Sequence, residues 1–590
     1  MRKIQTFMLL AATFVVSLAS ADTHSAADAQ LDNVIADYWE LYLQTYPAAA
    51  TGAGVYEFND QLGSVTPASQ ERVLQANRIL LARARDINRA EMSLDGQVNV
   101  DLLIWELEDT IGATELGLSR IPFNTFWGFF MSALRASSSL SMQELGDYED
   151  YLARLREIPR YFDENIQNMR QGVEDGFVLP QIVIDGVLPT VQAQVKENAE
   201  DSSLYEPFES ISARISAADQ ARLQEEGARV IRDEVMPAFA AVADFLASEY
   251  QASATIGAEQ LPNGKAFYAF QIRRYTTLTD TTADEIHATG LAEVARIRDE
   301  MEGIIDEVEF DGTFEEFTEF LLTDPQFYAE TAEELLQKVS HVAKGIDYLM
   351  PGFFGKLPRQ SYGVVAVPDE IAPNYTTGAY SGAPADAKNG GTYWVNTYAL
   401  DQRPLYEIPA LTLHEGVPGH HHQNALSLEL ENVPAFRRTL GFSAFGEGWG
   451  LYSEKLGVEM GVYKTPYEHF GRLSYEMWRA CRLVIDTGIH SQNWTRQQAI
   501  DFLMANTALT AANARAEIDR YISWPGQALS YKLGELKIWE LRDRAEVTLG
   551  DAFDLRDFHD AVLSQGALPL SMLDDLIDRY IDATLAAAEE

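Results

Sequence analysis

From Thr282 to Ile305 the apolar residues Ile286, Leu291, Val294, Ile297, Met301 and Ile304 recur at intervals of three to five, which lays them along one face of an α-helix. Thr282 and Glu285 make a capping box at its start, each side chain positioned to satisfy a backbone amide of the other. Similar but less regular patterns run through residues 29–46, 70–87, 145–172, 217–250, 332–348 and 496–507. One-sided helices must bury their apolar faces against one another, so the expected fold class is mainly α. The 590 residues include one cysteine, Cys481, so no internal disulfide assists and packing alone must hold the helices together. Cys481 lies among Trp478, Leu483 and Val484 and reads as a buried small hydrophobe. The one convincing strand is Gly391–Tyr398, where Asn389-Gly390-Gly391 offers a turn and β-formers follow. The Gly-, Pro- and Tyr-rich stretch 350–384 separates an N-terminal helical half, 22–350, from a C-terminal half, 351–590.

Residues 1–21 read as a signal peptide, with Arg2 and Lys3 ahead of the apolar run Phe7–Leu18 and the small residues Ala19-Ser20-Ala21 at the cleavage point. Export to the periplasm is the expectation, without a lipid anchor because no cysteine follows the cleavage point, and without stable membrane insertion because the apolar run is too short. With 45 Lys and Arg against 89 Asp and Glu the formal charge is −44. Nucleic acid and anionic membrane surfaces repel such a chain and are not expected partners.

Four of the ten histidines fall between residues 414 and 422, in Leu413-His414-Glu415-Gly416-Val417-Pro418-Gly419-His420-His421-His422-Gln423. A His-Glu pair followed by another His is the arrangement of zinc peptidases, in which two imidazoles bind the metal and the Glu takes a proton from water. The usual second His stands at i+4, and here that position is Pro418. On an unbroken helix neither His420 nor His421 could share an ion with His414. Pro418 and Gly419 allow a bulge: two extra residues return His420 to the i+4 place, three return His421, and His420 is favoured. Glu447, in Gly446-Glu447-Gly448-Trp449-Gly450-Leu451-Tyr452-Ser453-Glu454, is the expected third ligand from a neighbouring helix. Glu454, two turns on, would be the outer partner of a ligand imidazole.

These runs, with Asp486-Thr487-Gly488-Ile489-His490, Arg520-Tyr521 and Pro525-Gly526-Gln527-Ala528-Leu529-Ser530-Tyr531-Lys532, resemble the bacterial domain-of-unknown-function 885 family over nearly the whole mature chain. That family is in turn similar to helical zinc peptidases of the angiotensin-converting enzyme, thimet oligopeptidase and carboxypeptidase Taq type. The resemblance implies a two-lobed helical fold around a deep channel, a small β element beside the zinc helix, a Zn²⁺ cofactor and short peptide substrates. Matching Gly419-His420 to the Gly-His of those peptidases supports His420. It also implies that Tyr521 of Arg520-Tyr521 stabilises the oxyanion, with His490 as substitute, and that Gln527, Tyr531 and Lys532 hold a substrate carboxylate. In that architecture an edge strand pairs with the substrate backbone, which assigns Gly391–Tyr398 that task and places Asn396 and Tyr398 in the cleft. Zinc hydrolysis of another amide or ester, or an inactive helical binding protein, are the rival readings.

Overall fold

The Thr282–Glu285 box forms in both directions: the Thr282 hydroxyl accepts from the Glu285 amide at 3.3 Å, and the Glu285 carboxylate accepts from the Thr282 amide at 2.9 Å. The helix it starts buries Ile286, Val294, Ile297, Met301 and Ile304, while Leu291, one step off that stripe, is exposed. This helix belongs to a computed structural model that describes residues 25–589 other than 139, 370, 385, 386 and 432. The proposed signal peptide, 1–21, lies outside the described residues. Over those residues the chain is mainly α with one small three-stranded sheet, as the helical period predicts. No described helix is long and apolar enough to cross a membrane.

The helices that matter for the site are α1 (Ala26–Thr45), α2 (Leu94–Glu115), α3 (Gly264–Thr276), α4 (Ala283–Glu307), α5 (Ile408–Glu415), α6 (His420–Leu428), α7 (Ser443–Glu459), α8 (Pro466–His490), α9 (Ala511–Ser523) and α10 (Ser530–Leu549). The pattern over 217–250 is two helices, Ala217–Val230 and Met236–Ser248, joined by a wider π-turn ahead of Pro237, which cannot donate to the helical ladder.

Helix α4 packs along α8, and Val294, Ile297 and Met301 share one core with Leu473, Met477, Cys481 and Val484. That core therefore draws on both sides of residue 350. Cys481 is fully buried within it, as its neighbours suggest. Helices α7 and α10 cross at Gly448 and Gly534: a Cβ on Gly448 would stand 2.5 Å from the Gly534 Cα, so the crossing requires glycine.

The sheet consists of β1 (Tyr362–Ala366), β2 (Gly378–Ser381) and β3 (Gly391–Val395) in the order β1-β3-β2, with β1 parallel and β2 antiparallel to β3. The strand read from the sequence is thus the central one and ends at Val395. Both its edges are already paired, which corrects the expectation that it binds substrate as an edge strand. Tyr393 and Val395 on its buried face pack with Ile408 and Leu411 of α5, so the sheet's task is to seat α5.

Candidate metal centre

Pro409 sits in the first turn of α5, where a missing amide costs nothing, and every residue of this helix is buried. The expected bulge is a complete break. α5 stops at Glu415 and α6 restarts at His420, with Gly416–Gly419 between them. The Gly419 amide donates to the Leu413 carbonyl at 3.0 Å and the His421 amide to that of Gly416 at 3.1 Å, while Trp449 of α7 donates its indole N–H to the Pro418 carbonyl at 2.7 Å. The insertion is therefore pinned at both ends and in its middle.

The break brings three side chains together. His414, His420 and Glu447 each offer an atom within 4.8 Å of the others, and they are the one such group of three or more His, Cys, Asp or Glu among the described residues. Glu447 Oε2 lies 3.4 Å from His414 Nε2 and 3.5 Å from His420 Nε2. The two imidazoles are nearly perpendicular, with ring centres 4.7 Å apart. His414 is buried, whereas His420 and Glu447 are half-buried, so the group opens outward. Behind it, His414 Nδ1 donates to Glu454 Oε1 at 2.7 Å. Glu447, Gly450 and Glu454 fall on one face of α7, and Gly450 makes room for the ring, since a Cβ there would be 2.6 Å from His414 Cε1.

Burial alone would depress the His414 imidazole, yet Glu447 and Glu454 outweigh it and lift it to about 10. Burial likewise opposes ionisation of Glu447, and His414 and His420 override it and hold the carboxyl well below its usual range. Positive charge is thus strongly favoured where the three side chains meet.

Glu415 is buried, and its Oε2 accepts the backbone N–H of Tyr380 on β2 at 2.8 Å. Nothing in the sequence pointed to Tyr380, because it lies in the Gly- and Pro-rich stretch that reads only as a boundary. Its hydroxyl donates to His421 Nδ1 at 3.1 Å, and His421 Nε2 donates to the Gln360 carbonyl at 3.0 Å. Burial pushes His421 down to about 4, and both its nitrogens are engaged away from the three-residue group. His422 is buried against the ring of Phe354.

The residues assigned by resemblance have partners of their own. Tyr521 on α9 is buried, donates its hydroxyl to Glu517 at 2.6 Å, and accepts from Arg482 Nε at 2.9 Å and Trp478 at 3.1 Å. His490 accepts from the Ala258 amide at 3.1 Å and donates to the Tyr521 carbonyl at 3.0 Å, and burial pushes it down to about 4. Neither is hydrogen-bonded to the His414 group, and each gives its donor to a protein acceptor. Lys532 is fully buried, and its ammonium meets Glu535 at 2.6 Å, Glu476 at 2.7 Å and Glu293 at 3.0 Å, three carboxylates for its three donors. Gln527 accepts from Arg520 at 2.6 Å, and the Tyr531 ring lies against the Arg482 guanidinium, 4.4 Å from its centre. Asn396 is buried and donates to the carbonyls of Ala372, Tyr375 and Thr376 while accepting from the Tyr398 amide, which ends β3 and leaves nothing for a cleft. Tyr398 is exposed.

The ion cluster makes a first expectation about stability. Lys532→Ala strands Glu535, whose hydrogen-bonded partner is Lys532, and breaking such a buried pair costs about 3–5 kcal/mol. The shift of the denaturant midpoint measures it, and a loss below 1 kcal/mol would show that the carboxylates are satisfied without the lysine.

Two solved structures share this fold. One, a putative lipoprotein from Colwellia psychrerythraea, is 26% identical with a TM-score of 0.88, covering 95% of this chain and 100% of that one. The other, a putative lipoprotein of unknown function from Shewanella oneidensis, is 19% identical with a TM-score of 0.72, covering 94% of this chain and 100% of its own. No curated protein matches the sequence. A family pattern described as bacterial protein of unknown function (DUF885) runs from residue 47 to 577, and over that span, which includes every residue of the His414–His420–Glu447 group, the chain belongs to the DUF885 family.

Proposed function

We propose that the protein is a zinc-dependent hydrolase of peptide bonds in short peptides, acting at His414, His420 and Glu447. The observation that carries this reading is the convergence of two imidazole Nε2 atoms and one carboxylate on a point open to solvent, with Glu415 adjacent in sequence to the first imidazole. Two His and one Glu are a catalytic zinc donor set, since three protein ligands leave a position free. A zinc ion held there supplies Lewis acidity and lowers the pKa of water.

The chain's own residues perform the rest. Glu454 accepts the His414 Nδ1–H, which orients the ring so that Nε2 faces the space it shares with Glu447 and His420. Glu415 is held by the Tyr380 amide through one oxygen, and a carboxylate so oriented takes a proton from water and passes it to the leaving amine. A general base has no use in a metal store, which favours hydrolysis over the reading of an inactive binding protein. Burial of α5 and the sheet contacts keep these groups in place before substrate arrives.

Metal analysis of the purified protein together with digestion of a peptide library tests the proposal. Stoichiometric zinc and cleaved peptides are expected; zinc without cleavage of any peptide would overturn it. Glu454→Ala is expected to lower zinc affinity or turnover about 10- to 100-fold, the usual cost of losing the partner of a ligand imidazole. A chelator competition reads that loss directly, and an unchanged affinity would remove Glu454 from the scheme.

A further inference from the structure

A cavity of about 690 Å³ lies among α1, α2, α3 and the residues leading into α7. Glu106 and Asp109, three residues apart on α2, both line it, and Arg274 of α3 is the one cation among the lining residues. Arg274 pairs with Asp109 Oδ2 at 3.1 Å. Asp109 is 7% exposed, and its other oxygen, Oδ1, accepts no hydrogen bond from any described group. Glu106 receives only a long contact from the Tyr38 hydroxyl, at 3.4 Å. Burial, and after it the charge of Asp109, raise the Glu106 carboxyl to about 7. Two carboxylates and one guanidinium therefore line the cavity, with Arg273 acting on Asp109 from outside the lining, and a buried carboxylate oxygen is left without a hydrogen bond, in a cavity whose walls include Tyr42, Tyr46 and Trp105.

An unpaired buried carboxylate oxygen is costly unless a ligand satisfies it. The ligand must bring positive charge and N–H or O–H donors. A bare metal ion brings no N–H or O–H donor, and Glu106 and Asp109 belong to no group of three metal-binding side chains among the described residues. A protonated primary amine does: it carries three donors and a charge that a tyrosine face also attracts, the Trp105 ring already carrying the Arg273 guanidinium at 4.3 Å. The cavity also reaches the metal centre's own helix. Phe442 and Ser443 line it, and Glu447 follows Ser443 by one turn of α7, about 6 Å along the axis. Between them a Cβ on Gly446 would meet nothing within 4 Å, so that turn is open.

We propose that this cavity receives the protonated amino end of the peptide substrate, with Glu106 and Asp109 accepting from the ammonium. This rests on the reading of the chain as a peptide hydrolase, and it makes a free amino terminus a determinant of what is bound. The test uses the full-length, zinc-loaded Glu415→Gln protein, in which turnover is expected to be about 10²–10⁴-fold slower, and two probes in equilibrium dialysis read by mass spectrometry: a library of tripeptide amides with free amino ends and the same library N-acetylated. Acetylation is expected to weaken binding about 10- to 100-fold, the worth of hydrogen bonds to a charged group. Adding Glu106→Gln should weaken the free-amine library to the same extent and leave the acetylated one unaffected, with zinc content and melting temperature showing that the variant is folded.

Equal retention of the two libraries, including retention of neither, would overturn the proposal, and so would free-amine binding indifferent to Glu106. The comparison on the unaltered cavity stands even if the Glu106 variant fails to fold. Cleavage by the wild-type protein that ignores acetylation would leave the hydrolase and remove the amine site. Amine-dependent binding without any cleavage would do the reverse.

Discussion

Replacing Glu415 by glutamine leaves the zinc content unchanged and lowers peptide hydrolysis by about 10²–10⁴-fold, the range a positioned general base contributes. Glutamine keeps the size and shape of the side chain, and its amide oxygen can accept the Tyr380 N–H that now goes to Glu415 Oε2. The local fold should therefore survive, which a melting curve checks. Zinc should survive as well, because Glu415 is not among the three side chains whose donor atoms lie within 4.8 Å of one another. What disappears is the ability to hold a proton. If zinc is retained and peptides are still cleaved at the wild-type rate, Glu415 is not the base and the proposed chemistry is wrong.

The sequence located the helices and the group of three side chains because both leave local signals. Period, caps and a histidine cluster are readable within a few residues, and the glycines around Glu447 announce the close approach that the Gly448–Gly534 crossing and the Gly450–His414 contact demand. The form of the insertion was less readable. Pro418 and Gly419 showed that the helix could not run on, but whether it bulged or broke depended on Trp449 reaching the Pro418 carbonyl from α7. The sheet was mostly hidden: β1 and β2 are short, lie in a segment rich in turn residues, and gain their order only by pairing with β3. Tyr521, His490 and Lys532 illustrate a different limit. Each carries a group suited to catalysis or binding, and each meets partners distant in sequence, such as Arg482 for Tyr521, 39 positions away, and Glu476 for Lys532, 56 positions away. Glu106, Asp109 and Arg274 show the converse. Acidic residues on an ordinary helix carry no signal, and only the cavity exposes their unbalanced charge.

The second large effect separates adjacent imidazoles. His420→Ala should abolish tight zinc binding, while His421→Ala should keep it and lose stability instead. His420 Nε2 faces Glu447 at 3.5 Å, across from His414, so its removal leaves two donors where three converged. That loss should exceed the roughly 10- to 100-fold cost of removing an outer partner such as Glu454. His421 points to the other side of the start of α6, where it bridges Tyr380 and the Gln360 carbonyl. Its deletion removes a buried ring and leaves those half-buried partners unpaired, at about 1–3 kcal/mol, without touching the donor set. Zinc content after dialysis and the denaturant midpoint together distinguish the two variants. The reverse order, with His421→Ala losing zinc and His420→Ala keeping it, would mean that the break between α5 and α6 rearranges when metal binds and that the second imidazole is the later one.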